Sequence, residues 1–468
     1  MSHRQVLSSG SPQDSSHREL QPKQSKPART AILGLVIFSS LCILGGGTAK
    51  ILNLAFPVGA FAVGVFLYRR YPLIYVSFAW WIFFLTPFVR RLVDWRSSFT
   101  DPSPILLSPF LVAMVTLATF YRHLPRSYQQ GSFPFVLSFI GVFYGFLVAL
   151  IKLSPVSAVI SVLNWLPPIL FGFHLFVNWR DYPYYRQSIE RTFVWGVLVT
   201  GAYGVYQYIV APEWDRTWLI ETELFTSMGD PAPFGMRVWS TMNSPLPFAT
   251  VMIAGLMLLL TSKETLRVPA SVFGYLALLL TSVRTAWGAW FVAFITLTTS
   301  LKAHLQMRLI ITVMVMAVLV VPLATVEPFS TIIQSRFASF SNLQGDQSLN
   351  DRSELYERQL SEALGEFQGM GIGGAGSIDS GILDTILSLG WFGTVPYWGG
   401  MFLCFLTLFQ SREIRSDPFA SAARAICFSF LPMLAGANVT VALAGMVFWG
   451  FLGIGMAACK YHLHQNKN

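Results

Sequence analysis

The sequence predicts an all-α polytopic membrane protein of about 12–14 transmembrane helices. Three observations carry that prediction. Of 468 residues, 53% are hydrophobic and only 12% are charged, against roughly 25% charged in a soluble domain. The mean hydropathy of +0.54 holds over the whole length, so the apolar character is not one anchor on a soluble enzyme. The apolar residues recur in many runs of about 20, the length a helix needs to cross a hydrocarbon layer of about 30 Å. Each span must satisfy its own backbone hydrogen bonds in lipid, which makes it a helix. A water-soluble fold, a disordered chain and a secreted disulfide scaffold are excluded.

The elements follow in order. Residues 1–30 are polar, rich in Ser, Gln and Pro, and read as a disordered tail. They carry Arg4, Arg18, Lys23, Lys26 and Arg29, and no clear A-x-A cleavage site follows the first apolar run. Apolar runs then begin near positions 31, 51, 72, 105, 133, 155, 192, 245, 268, 285, 309, 382, 417 and 440. An even number of spans puts both termini on one side. With the N-terminus inside, most of the 32 Lys+Arg fall in cytoplasmic segments and most of the 23 Asp+Glu fall outside. The positive-inside rule rests on Lys and Arg, so the termini are assigned to the cytoplasm. The expected organisation is a cytoplasmic tail (1–30), transmembrane helices with external arginine-bearing loops (31–327), a long external loop (328–381), C-terminal transmembrane helices (382–460) and a cytoplasmic tail (461–468).

Two long stretches fall on the non-cytoplasmic side, at about 212–244 and 328–381. In the second, Leu355, Leu360, Leu364 and Phe367 recur at helical spacing with charges on the other face. This predicts an amphipathic helix lying on the membrane surface, capped by Ser348 or Asn350. The run Gly371-Ile372-Gly373-Gly374-Ala375-Gly376 matches G-x-G-x-x-G in form only. A dinucleotide site requires a strand before it and a helix after it, so the run reads as a flexible linker with close backbone approach. Asn438-Val439-Thr440, a formal glycosylation sequon, sits at a tight turn.

The four cysteines lie in or beside apolar runs with no metal-ligand spacing and read as core packing. The seven histidines avoid the predicted external loops, which argues against a histidine base or a metal site there. His174, within a span, reads as packed and hydrogen-bonded. The net charge of +9 is spread between apolar runs and reports topology, not nucleic acid. Ion-coupled transporters place carboxylates at membrane depth, whereas only Asp384 falls inside a predicted span.

The external arginines stand out. Arg237 precedes a span in Arg237-Val238-Trp239-Ser240-Thr241-Met242-Asn243-Ser244-Pro245, and Arg284 sits in Ser282-Val283-Arg284-Thr285-Ala286-Trp287 where two spans meet. Arg90, Arg91 and Arg96 gather after the third span, and Arg352 opens the surface helix. A guanidinium near membrane depth costs roughly 2.5–3.5 kcal/mol at the bilayer centre and less near an interface. Its planar fork suits bidentate phosphate binding. The alternative is that each arginine snorkels to headgroups or pairs with a loop acid such as Asp94 or Asp230.

These segments together resemble the O-antigen ligase/polymerase family of bacterial membrane glycosyltransferases. The resemblance lies in Arg237-x-x-Ser-x-x-Asn-Ser-Pro, in Ser282-Val283-Arg284-Thr285-Ala286-Trp287 and in Asp351-Arg352-Ser353-Glu354-Leu355 with Ala363-Leu364. It continues through Gly371-Ile372-Gly373, Asp379-Ser380-Gly381-Ile382-Leu383 and Leu389-Gly390-Trp391-Phe392-Gly393. It covers roughly 230–395. It implies a GT-C-like enzyme of the bacterial inner membrane, with a periplasmic active face, that moves glycan from undecaprenyl-pyrophosphate to an acceptor sugar hydroxyl without metal or cofactor. Arg237 and Arg284 would hold the pyrophosphate, with Arg90 and Arg91 as further pyrophosphate-binding residues and Arg352 closing from the loop. A polysaccharide flippase or chain-length regulator is a further implied partner. Family ligases carry a His at the loop exit, where this chain has Asp379-Ser380. Asp379 would orient or deprotonate the acceptor hydroxyl, or merely cap the next helix. The missing His favours a polymerase of repeat units for exopolysaccharide, capsule or O-antigen. The runner-up is a membrane solute transporter, some relatives having been labelled inorganic-carbon transporters. A non-catalytic partner of an export machine is a third reading.

Overall fold

The computed structural model describes residues 26–301, 347–376, 378, 380–411, 415 and 417–467, with a few positions between 306 and 314. The described chain is mostly helical, without strands, and is an all-α polytopic membrane protein. Its main helices are α1 (Lys26–Leu44), α2 (Leu52–Arg70), α3 (Pro72–Arg96), α4 (Ser108–Met114), α5 (Leu117–His123), α6 (Phe133–Lys152), α7 (Pro155–Val177) and α8 (Tyr182–Val210). They continue with α9 (Glu213–Glu221), α10 (Pro245–Thr261), α11 (Arg267–Leu280), α12 (Arg284–Ser300), α13 (Gln347–Gly365), α14 (Gly381–Gln410), α15 (Pro418–Met433) and α16 (Ala442–Gln465). Nine described helical segments are long and apolar enough to cross a membrane, and α10 and α11 are shorter apolar helices.

Within one window of 18 residues, 94% of α16 is buried inside the protein but only 11% of α1. Both are apolar, so α16 is the central post and α1 faces lipid. Small residues let the post sit close. A Cβ on Gly172 of α7 would lie 2.3 Å from the Trp449 carbonyl oxygen, and one on Gly453 would lie 2.1 Å from that of Gly172. Without a hydrophobic force between helices in lipid, such close backbone approach supplies the packing.

The helix α8 begins ten residues before the apolar run at 192, because Arg186, Glu190 and Arg191 in its first turns mask it in a hydropathy reading. Likewise Arg90, Arg91, Asp94 and Arg96 lie within the last turns of α3, not beyond it. Asp94 is buried there, so Asp384 is not the only acid inside a span. The helix α13 starts at Gln347 and encloses Ser348 and Asn350, so neither caps it. Leu360, Leu364 and Phe367 remain exposed while Ala363 is buried, leaving an apolar face uncovered, as a helix on a lipid surface requires.

The glycine run after α13 is packed. Gly371 has φ +87° and a Cβ on it would lie 2.6 Å from the Ala149 Cα of α6. Lys152 Nζ donates to the Gly369 carbonyl at 2.7 Å, and Tyr144 Oη donates to that of Gln368 at 3.1 Å. The same segment fills a break in α14. Gly390 (φ 62°, ψ 175°) interrupts the helix, and the N–H groups of Trp391 and Phe392 donate to the Glu366 and Phe367 carbonyls. No βαβ unit accompanies the G-x-G-x-x-G run among the described residues.

The bundle therefore has two distinct ends. One, the loop end, gathers residues 97–107, 211–244, 281–284, 366–376 and 434–441. The other gathers 69–72, 123–131, 177–182, Ser411 and Asp417 with the C-terminus of α16. There Asp417 caps α15 through the Phe419 and Ala420 N–H groups and accepts from Tyr182 Oη at 2.7 Å. Arg186 Nη1 and His462 Nε2 each lie 3.2 Å from its carboxylate. Burial alone would raise this carboxyl, but the hydrogen bonds from His462 and Tyr182 and the Arg186 charge outweigh it and hold it below the usual range.

Candidate functional site

At the loop end, residues 237–244 run as non-helical chain between α9 and α10, held by side chains and by the Arg237 and Val238 N–H groups, which donate to the Met228 and Leu280 carbonyls. Arg91 of α3 is fully buried. Its Nε lies 2.8 Å from Asp215 Oδ1, and its Nη1 and Nη2 each donate at 2.5 Å, to the Met242 and Ser240 carbonyls. Asp215 of α9 also accepts from Tyr203 Oη at 2.7 Å and Gln207 Nε2 at 2.8 Å. Gln207 Oε1 in turn accepts the Trp239 and Ser240 N–H groups. Desolvation pushes the Asp215 carboxyl up, against the opposing pull of Arg91 and the two hydrogen bonds. Ser240 sits at φ 55°, a left-handed conformation that costs a non-glycine residue on the order of 1 kcal/mol or more. Four bonds to the backbone of three consecutive-region residues, Trp239, Ser240 and Met242, offset that cost.

Arg237 ties this segment to the next motif. It donates through Nε to the Thr281 carbonyl at 3.1 Å, through Nη1 to Ser227 at 2.7 Å and through Nη2 to Ser282 at 3.3 Å. Ser282 is likewise left-handed, at φ 55°. Arg284 opens α12 two residues later and is half-buried. Arg237 is thus joined, through the 281–282 carbonyls, to the turn that leads into Arg284. Arg90 donates to Asp94 at 3.1 Å and to the Thr100 carbonyl at 3.0 Å, and lies 3.5 Å from Asp101.

Beside these arginines opens a cavity of about 550 Å³. The same segment supplies part of its wall, Met242 and Asn243, and Asp101, Asn164 and Asn438 add polar groups to an otherwise largely apolar lining. Thr86 Oγ1, Ser103 Oγ and Asn243 Oδ1 line it and are buried without a hydrogen-bond partner. Buried polar atoms are almost always satisfied, so these three mark where a ligand or water oxygen or N–H is needed. The arginines brace this wall from behind; none of Arg90, Arg91, Arg237 or Arg284 lines it.

A half-buried acid stands behind this lining, one hydrogen bond removed from the cavity. Asn438 Nδ2 donates to Asp384 Oδ2 at 2.6 Å, Ser388 Oγ donates to Asp384 Oδ1 at 3.1 Å, and Asn438 Oδ1 accepts from Thr440 Oγ1 at 2.7 Å. Asp384 therefore fixes the amide of a cavity-lining residue. Sequence reading notices both residues, one as the acid within a span and one as a sequon, but has no means of pairing them across 54 positions. It misses Asp215 and Gln207 altogether, since a loop acid and a helix glutamine carry no distinguishing pattern.

Asp379 lies outside the described residues. The N-cap of α14 is Ser380, whose Oγ accepts the Leu383 N–H at 3.4 Å, so the capping role falls to the neighbouring residue. Arg352 falls in the first turns of α13, and its side chain lies outside the described residues. Among the described residues, no group of three or more His, Cys, Asp or Glu is arranged to hold a metal ion. No protein-family model matches the sequence, and no curated protein is similar to it.

Proposed function

We propose that the chain transfers glycan from a polyprenyl-pyrophosphate carrier, undecaprenyl-pyrophosphate in a bacterial inner membrane, to an acceptor sugar hydroxyl, as a polymerase of repeat units or a ligase. One observation carries this reading. A single short segment, 237–244, holds Arg237 at its start, is clamped by Arg91 at its middle and forms the cavity wall at Met242 and Asn243. Arg284 adjoins it across the 281–282 turn. A site of this composition suits a ligand with an apolar tail, a sugar rich in hydroxyls and a doubly charged leaving group.

In the reaction, the acceptor hydroxyl oxygen bonds to the anomeric carbon while the bond from that carbon to the pyrophosphate oxygen breaks. The lipid pyrophosphate leaves with the electron pair, and the hydroxyl proton passes to a carboxylate. Charge on the leaving group grows as the bond breaks, so fixed guanidinium groups in a water-poor site stabilise the transition state more than the ground state. Arg237 and Arg284 are assigned to the pyrophosphate, with Arg352 of α13 joining them; Arg91 places the segment, and Arg90 fixes the neighbouring chain at Asp94, Thr100 and Asp101. Asp379 is assigned to the acceptor hydroxyl, and Asp384, through Asn438, positions the acceptor sugar.

The test is made in cells that depend on this chain for polymer. Arg237→Ala and Arg284→Ala, each at normal protein level, are expected to lower polymer yield by two orders of magnitude or about 3 kcal/mol of barrier. Unchanged polymer length and yield would remove the arginines from the reaction.

A further inference from the structure

The opposite end of the bundle contains a second cavity, of about 280 Å³, whose wall is polar. It lies between the ends of α2, α5 and α7 and the start of α8, and no part of the transfer reaction uses it. Arg69, Arg122, His123, His174, Asn178 and Asp181 line it. Arg69 and Arg122 are exposed, and neither makes a hydrogen bond or ion pair with the protein among the described residues. With the histidines neutral, two guanidinium groups against the one carboxylate of Asp181 leave the wall net positive.

His174 forms the floor. The ring is 4% exposed, and Tyr68, Tyr75 and Tyr185 stand around it at ring-centroid distances of 5.6, 6.0 and 6.3 Å. Its hydrogen bonds fix which nitrogen carries the proton. The Asn178 atom 2.9 Å from the His174 carbonyl must be the amide nitrogen, because a carbonyl only accepts. The same nitrogen lies 3.4 Å from Nδ1, so Nδ1 is the acceptor. Thr119 Oγ1 donates to Nδ1 at 2.8 Å and in turn accepts from Tyr68 Oη at 2.6 Å. The proton of the imidazole is therefore on Nε2, and Nε2 is buried with no partner in the protein. A buried N–H without an acceptor is rare in folded proteins.

We infer that this cavity binds a phosphate group. Two guanidinium forks with no partner among the described residues form a donor set that matches tetrahedral oxygens, and the N–H of the floor histidine is a further unsatisfied donor of the same lining. His123 is held by Gln130 Oε1 at 3.2 Å and flanks the same opening. The charge distribution of the sequence assigns this end to the cytoplasmic side, where a phosphate can come from an anionic lipid headgroup or from a soluble phosphate compound. The site is independent of the transfer reaction proposed above and stands or falls without it.

The test uses the full-length protein in phospholipid-free detergent. One arm titrates inorganic phosphate at constant ionic strength and follows thermal unfolding, since a ligand that binds only the folded state raises the midpoint. The other arm adds phosphatidylglycerol, or diacylglycerol as the phosphate-free control, and counts bound lipid by native mass spectrometry. Both arms compare the wild type with R69A/R122A, whose changes are on exposed side chains, and with H174Q. Saturable stabilisation by inorganic phosphate, weakened at least about tenfold in R69A/R122A, identifies a soluble phosphate ligand. Retention of phosphatidylglycerol over diacylglycerol, lost in the same variant, identifies the headgroup instead. H174Q is expected to weaken whichever is bound by a smaller factor. If R69A/R122A and wild type respond alike in both arms, the site does not exist.

Discussion

The two ends of the bundle both concentrate arginine, but they use it differently. At the loop end, Arg91 and Arg237 spend their donors on six partners within the protein, five of them backbone carbonyls and one the Asp215 carboxylate. At the other end, Arg69 and Arg122 project beside a polar cavity with no bond to the described protein. A buried guanidinium shapes the chain around it, whereas an exposed one waits for charge from outside. Position in the sequence distinguishes neither case; the partners do. The loop-end arginines thus set the geometry of a cavity wall, and Arg237 meets a ligand only with the N–H groups that its three carbonyl bonds leave over.

That contrast can be broken by substitution, and the largest expected effect is at Arg91. Arg91→Ala leaves Asp215 buried without its cation, and removing one partner of a buried pair costs about 3–5 kcal/mol. Thermal unfolding in detergent should show a much lower midpoint, partly restored when Asp215→Asn is added; an unchanged midpoint would mean that the 237–244 segment is held by something else. Arg237→Lys keeps the charge but cannot reach three carbonyls at once, so a loss of about 1–3 kcal/mol is expected. The same substitution should impair polymer formation, because the segment carries the cavity wall.

Asp417 gives a smaller, pH-dependent effect at the opposite end. Its carboxyl is held below the range of an unfolded-chain Asp, so its contribution is fully present above that range and is lost as pH falls through the native value. Asp417→Asn keeps a capping oxygen but removes the charge facing Arg186 and His462, so it should cost on the order of 1 kcal/mol at neutral pH and should flatten the acid limb of the stability profile. An unaltered acid limb would place that titration elsewhere. The smallest effect is expected at Arg69 and Arg122. Their joint replacement by Ala should leave unliganded stability within about 0.5 kcal/mol, as for ordinary surface positions.

The fold class was legible because lipid imposes one requirement on every span, an apolar run long enough to cross and closed on its own hydrogen bonds. Legibility failed where charge enters a helix. Arg186, Glu190 and Arg191 hid the start of α8, and Arg90, Arg91 and Asp94 read as loop although they complete α3. Candidate site residues were legible as far as residue type and spacing carry. Arg237 reaches the turn before Arg284 only through the Thr281 and Ser282 carbonyls, and no backbone acceptor announces itself in a sequence. The Asp384–Asn438 pair joins two helices whose order in the chain says nothing of their neighbours in space. The sequence presents His174 as a packed and hydrogen-bonded residue. Only one of its two nitrogens is hydrogen-bonded, and the other gives the second cavity its interest.

The central claim, glycan transfer at the loop end, is tested most directly with purified protein and polyprenyl-pyrophosphate-linked oligosaccharide, the products being resolved by carrier and by size. The account predicts lipid-linked chains that lengthen by whole repeat units, or glycan moved to a second acceptor, with the free lipid pyrophosphate released in equal amount. Asp384→Asn should reduce turnover while leaving the folded protein intact. A complete absence of transfer with matched repeat units and acceptor, together with saturable solute uptake by vesicles carrying the same protein, would contradict it.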